Sequence, residues 1–136
     1  MKKNSILFAL SLSLLLFAGC GDGKVGLKGK VVFSDDGSPL PTGMVIFETD
    51  TYLARGMIEP DGTFVVSSSK VNDGLPPGTY RVSIDRAQHV SMRGETEIIE
   101  PLIASKFASG TTSGITIEVK PSMKPIEIQV DRYEKK

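Results

Sequence analysis

Residues 75–85 read LPPGTYRVSID, and this stretch decides the fold. Tyr80, Val82 and Ile84 point one way along an extended chain, and Arg81, Ser83 and Asp85 point the other. That period of two is the mark of a strand with one face buried. The two prolines and Gly78 ahead of it form a rigid corner that stops any helix from running into it.

The same alternation recurs on both sides. Upstream, Leu27, Gly29, Val31 and Phe33 alternate with Lys28, Lys30 and Val32. Residues 44–50 (MVIFETD) form a second strand with Val45 and Phe47 on one face, and residues 53–59 (LARGMIE) a third, more polar edge strand. Residues 34–39 (SDDGSP) and 60–63 (PDGT) are turns, the latter a hairpin turn leading to Phe64, Val66 and Ser68. Downstream, Ile115, Ile117 and Val119 form one strand and Ile126, Ile128 and Val130 another, joined by residues 121–125 (PSMKP). Between them, residues 86–114 break the rhythm. They are expected to be a long connection with weak strand character at 96–99 and a short helical turn near 104–108; connections of that length in a compact domain are usually functional. About seven strands with turns every 8–12 residues and no long helix predict an all-β, seven-stranded Greek-key β-sandwich of two antiparallel sheets.

The first 24 residues follow another logic. Met1-Lys2-Lys3 is a cationic start, and residues 6–18 (ILFALSLSLLLFA) carry no charge. A largely apolar, uncharged run of 13 residues suits a secretion signal and falls short of the roughly 20 that span a bilayer as a helix. Phe17-Ala18-Gly19-Cys20 resembles the lipobox of bacterial lipoproteins, with Phe17 where Leu is commoner. That resemblance implies cleavage after residue 19 and a diacylglycerol thioether on Cys20, with residues 20–24 as a lipidated tether to a membrane. Two or three acyl chains anchor stably where one does not. The alternative is an ordinary signal peptide that leaves Cys20 as a free thiol. Cys20 is the single cysteine, so no intramolecular disulfide forms, and a free thiol would be a liability in an oxidising compartment. Gly21 after the cysteine, by analogy with a known sorting rule, points to the outer membrane, with a periplasm-facing membrane surface as the alternative.

Without the leader, 117 residues remain, one domain's worth, with 14 basic and 16 acidic side chains. This balance offers no basic excess for nucleic acid. The turns and strands beginning at Gly29 (GKVVF), Asp36 (DGSPLP), Val45 (VIFE), Pro60 (PDGTF) and Leu75 (LPPGTYRVSI) resemble the carboxypeptidase regulatory-like domain, a transthyretin-like (prealbumin-like) sandwich. Small lipoproteins that carry this domain also show segments like Lys106-Phe107 and Thr112-Ser113-Gly114-Ile115-Thr116. The resemblance spans residues 25–131, leaves 132–136 (RYEKK) as a polar tail, and implies a generally non-catalytic module.

Chemistry-bearing residues are sparse. His89 is the lone histidine and falls short of a zinc set, which needs three or four ligands. Ser67, Ser68 and Ser69 end a strand without the turn that presents a nucleophilic serine. Asp35, Asp36, Asp61 and Asp73 lie in turns and match no calcium loop. Gly74 and Gly78 flank prolines as corner residues. Transthyretin-fold hydroxyisourate hydrolases carry several histidines and a C-terminal Tyr-Arg-Gly-Ser motif; this chain ends DRYEKK. Tyr52, Arg55, Met92 and Arg93 are candidates for an exposed recognition patch. The expectation is therefore no catalytic residue, metal or cofactor. The resemblances imply lipid on Cys20 and a structural or protein-interaction role for the domain in the cell envelope. The alternative is an accessory protein that binds a peptide or carbohydrate through residues 86–114.

Overall fold

The computed structural model describes residues 23–136. The leader, Cys20 and its immediate neighbours lie outside the described residues. The fold is all-β and sandwich-like. Its strands are β1 (Lys28–Phe33), β2 (Met44–Glu48), β3 (Leu53–Met57), β4 (Thr63–Val65), β5 (Gly78–Asp85), β6 (Gln88–Arg93), β7 (Thr96–Pro101), β8 (Ile115–Val119) and β9 (Ile126–Val130). One sheet has the order β4-β1-β9, a second β3-β2-β5-β8, and β6 and β7 form a separate two-stranded sheet.

The alternating side chains meet between the two larger sheets. Val31, Val45, Phe47 and Val82 are fully excluded from water, and Phe64, Tyr80 and Ile128 nearly so. Each such aliphatic or Phe side chain contributes about 1.5–3 kcal/mol on burial. Phe47 stands at the centre, its ring centroid 6.2 Å from that of Phe64 and 6.4 Å from that of Tyr80, so that one aromatic cluster joins both sheets. Phe107, Ile103 and Leu40 close the core from the loops.

Several local expectations are corrected. β1 and β9 run parallel, Gly29 opposite Ile126 and Phe33 opposite Val130, so the sheets are not purely antiparallel. Residues 121–125 do not close a hairpin; they carry the chain from β8 in one sheet to β9 in the other. Residues 60–63 likewise turn the chain between sheets, and β3 and the strand after it are linked by the isolated Arg55–Ser67 bridge. Side-chain alternation is the same for a parallel and an antiparallel neighbour, so it is blind to these choices. Strands β2 and β3 also stop sooner than expected. The Thr49 hydroxyl accepts the backbone N–H of Tyr52 at 3.0 Å and turns the chain there.

The 86–114 segment is ordered in two parts. Residues 88–101 form the β6–β7 hairpin, in register from Gln88–Pro101 to Arg93–Thr96. Residues 105–114 form a clip against β5. It begins with the 3-10 turn Ser105–Ala108, which buries Phe107. It ends where the buried Ser113 hydroxyl donates to the Val82 carbonyl at 2.5 Å and accepts the Ile115 N–H at 3.1 Å.

Candidate functional site

Two poles organise the surface. At one, the chain enters: Val25 bridges Leu75, β1 begins at Lys28, and Gly78 at the start of β5 pairs with Val119 at the end of β8. Eight residues of β5, roughly 25 Å of strand, then lead to the far pole. There Asp85 pairs with Met44 and the β6–β7 hairpin departs.

At the entry pole, Lys24 Nζ lies 2.7 Å from the Asp73 carboxylate and 2.6 Å from the Ser69 hydroxyl. Both charged side chains are largely buried. Asp73 also accepts the backbone N–H groups of Ser68, Ser69 and Lys70. Lys24, then these donors, hold its carboxyl far below the usual carboxylate range. The three candidate serines are thus built into a loop around Asp73, with the Ser67 hydroxyl accepting the Asn72 N–H.

At the far pole the C-terminal segment is tied in from Arg132, not free from residue 132 onward. The Arg132 guanidinium lies 3.7 Å from the Phe33 ring centroid and pairs with Asp35 at 2.8 Å and Asp36 at 3.0 Å. Hydrogen bonds from Ser38 and the charge of Arg132 bring the Asp36 carboxyl down to about 2. Asp131 accepts from Lys106 at 2.5 Å and from Ser34 at 2.7 Å, in that order of effect lowering its pKa. Asp61 caps its turn by accepting from Thr63. Among the described residues, no three His, Cys, Asp or Glu side chains gather to hold a metal.

The hairpin carries Val90, Met92 and Ile99 on one face, all about half exposed or more. Glu97, paired with Met92, shares that face. The opposite face sets His89 across from Glu100 and Ser91 across from Ile98. The chain rejoins the body where the Leu102 N–H donates to the Ala87 carbonyl at 2.9 Å, and the Tyr133 N–H donates to the Leu102 carbonyl at 3.0 Å. Half-exposed Tyr133 lines two open clefts. One of about 630 Å³ includes His89, Ile98, Glu100, Leu102 and Lys135. The other, of about 540 Å³, includes Ser105, Lys106, Asp131 and Glu134. An exposed aromatic beside mixed charges suits stacking and hydrogen bonding to a partner's side chain or a sugar ring.

The sequence-predicted residues do not come together. His89 is at the far pole, whereas Ser67–Ser69 surround Asp73 at the entry pole. The patch of Tyr52, Arg55, Met92 and Arg93 divides between the β3 edge and the hairpin tip. Tyr133 sits within a charged tail, where nothing local signals that its backbone docks on Leu102. No protein family, curated protein or solved structure compared with the chain matches it.

Proposed function

We propose that the chain is an exported lipoprotein whose residues 1–19 are a signal peptide. Cys20 carries the lipid, and residues 25–131 form a non-catalytic module on the surface of an envelope membrane. The lipobox-like Phe17-Ala18-Gly19-Cys20 carries the anchoring part of this reading. The strand orders of the two larger sheets support a seven-stranded Greek-key, prealbumin-like sandwich akin to the carboxypeptidase regulatory-like domain. The observation that carries the interaction role is the opposition of the two poles. A tether at Lys24 leaves the hairpin and Tyr133 facing outward, toward envelope proteins. Intact mass of protein extracted from membranes, beside a Cys20→Ser variant, tests the proposal. A chain starting at Cys20 with two or three acyl chains, and an unprocessed variant, is the expected result. A soluble, unacylated mature chain sinks it.

A second reading, capture of a peptide or glycan, rests on Tyr133 standing between two open clefts. Saturable binding of envelope glycan fragments that disappears in Tyr133→Ala would favour it over a purely protein-binding role.

A further inference from the structure

The entry pole has a charge pattern of its own. The loops around it, together with the first residue of β1, bring Lys24, Lys28, Lys70, Lys120 and Lys124 to one end of the sandwich. The aspartates there are already engaged, Asp73 by Lys24 and Asp50 by Arg81 at 3.1 Å. Lys120 has Glu118 at 3.7 Å in an exposed pair. The 67–74 loop is held rigid from inside by Asp73, and both its ends are stitched to the entering chain: the Val66 N–H donates to the Leu27 carbonyl, and Leu75 pairs with Val25. At its apex Val71 is 87 % exposed, the most exposed large apolar side chain among the described residues. Val71 stands beside Lys70, where the loop meets the open cleft along β3 and β4 that Arg55, Val65 and Ser67 also line, and it stays solvent-facing at the entry-pole end of that cleft.

The length of the tether supplies the occupant. Cys20 precedes Lys24 by four residues, which reach at most roughly 14 Å when fully extended. Lys24 is pinned to Asp73, so the pole has no slack beyond that. We infer that this pole is itself a membrane-contact surface, with Lys28, Lys70, Lys120 and Lys124 against anionic lipid headgroups and Val71 seated among them. The inference rests on the anchoring of Cys20. Lysines held this close to a charged bilayer lie within about one or two Debye lengths of it, and each contributes about fivefold to partitioning. The sandwich then stands upright on the membrane, with the hairpin at the top.

The test uses the mature lipoprotein reconstituted into phosphatidylcholine vesicles with and without phosphatidylglycerol. An environment-sensitive fluorophore is placed at Val71→Cys or, separately, at Met92→Cys. The expected result is a blue shift and quenching by spin-labelled lipid at position 71 in anionic vesicles only. That signal is lost on adding salt or in Lys70→Gln/Lys120→Gln/Lys124→Gln, while position 92 stays aqueous throughout. Protein that floats with the vesicles yet keeps position 71 aqueous overturns the inference and leaves the anchor intact. An equal shift in both vesicle types overturns the role of the lysines. Protein that fails to float at all overturns the anchoring reading, and this inference with it.

Discussion

The Arg132 guanidinium is stacked on the Phe33 ring at 3.7 Å, although 99 positions separate the two in sequence. Phe33 ends β1 and Arg132 follows β9, and the parallel pairing of those strands brings them to the same pole. Asp35 and Asp36 in the turn after β1 then clasp the guanidinium from the side.

Arg132 joins the C-terminal segment to the body through charge and stacking together. Arg132→Lys keeps the charge and loses the planar fork, so it is expected to lower the thermal midpoint nearly as much as Arg132→Ala. A double-mutant cycle with Phe33→Leu should show non-additivity. Strict additivity would mean that the stacking contributes nothing.

Phe47 is fully buried between Phe64 and Tyr80. Phe47→Ala should cost about 3–5 kcal/mol in urea unfolding, through lost transfer energy and the cavity left at the sheet interface. A loss below about 1 kcal/mol would show that the two sheets close over the gap.

The depressed pKa of Asp73 links stability to acid. Its contribution is fully present above the unfolded-state value of about 4, where both states are ionised. As pH falls below that, the unfolded chain takes up the proton first, and stability is lost progressively toward the much lower folded value. Asp73→Asn should be less stable than the wild type at neutral pH and show a flatter acid limb in pH-dependent denaturation.

Gly74 and Gly37 both have positive φ, +78° and +70°, but in different surroundings. A Cβ at Gly37 meets open space, so Gly37→Ala should cost only the left-handed penalty of about 1–2 kcal/mol. At Gly74 the Cβ would drive into the Val25 carbonyl. Gly74→Ala should therefore cost clearly more, and loosen the pairing of Val25 with Leu75, read as faster amide exchange at both.

The hairpin forms its own sheet and buries little, so it should be dispensable for folding. Replacing residues 89–100 with a short Gly-Ser turn should leave the thermal midpoint within a few degrees and, on the proposed interaction role, abolish cross-linking to other envelope proteins. A collapse of the midpoint would show that the hairpin supports the core. In the intact protein its amides should exchange faster than those of β2 and β5.

Alternation alone made the class legible. Tyr80, Val82 and Ile84, like Val45 with Phe47 and Ile128 with Val130, mark which face of each strand is buried, because side chains on a strand repeat every two residues whatever lies beside it. Turn chemistry was legible for the same local reason. Asp36 caps Ser38 and Asp61 caps Thr63 within two residues of themselves. The 86–114 segment was harder to read. The exposed hairpin buries neither face, so the alternation of Val90 and Met92 with their polar neighbours marks no core, adjacent Ile98 and Ile99 blur the period in β7, and the clip is held by Ser113 bonding to Val82, 31 residues away.

Sequence by itself determined the strand faces, the corner before β5, the capped turns and the uncharged run at 6–18, since each depends on residues within a few positions of one another. Tertiary structure alone decided that β9 lies parallel to β1, that Lys24 meets Asp73, that Arg132 caps Phe33, and that the hairpin and Tyr133 share the pole opposite Lys24. Those pairings join residues 31 to 99 positions apart. They follow from how two sheets close over one core, which no local pattern encodes.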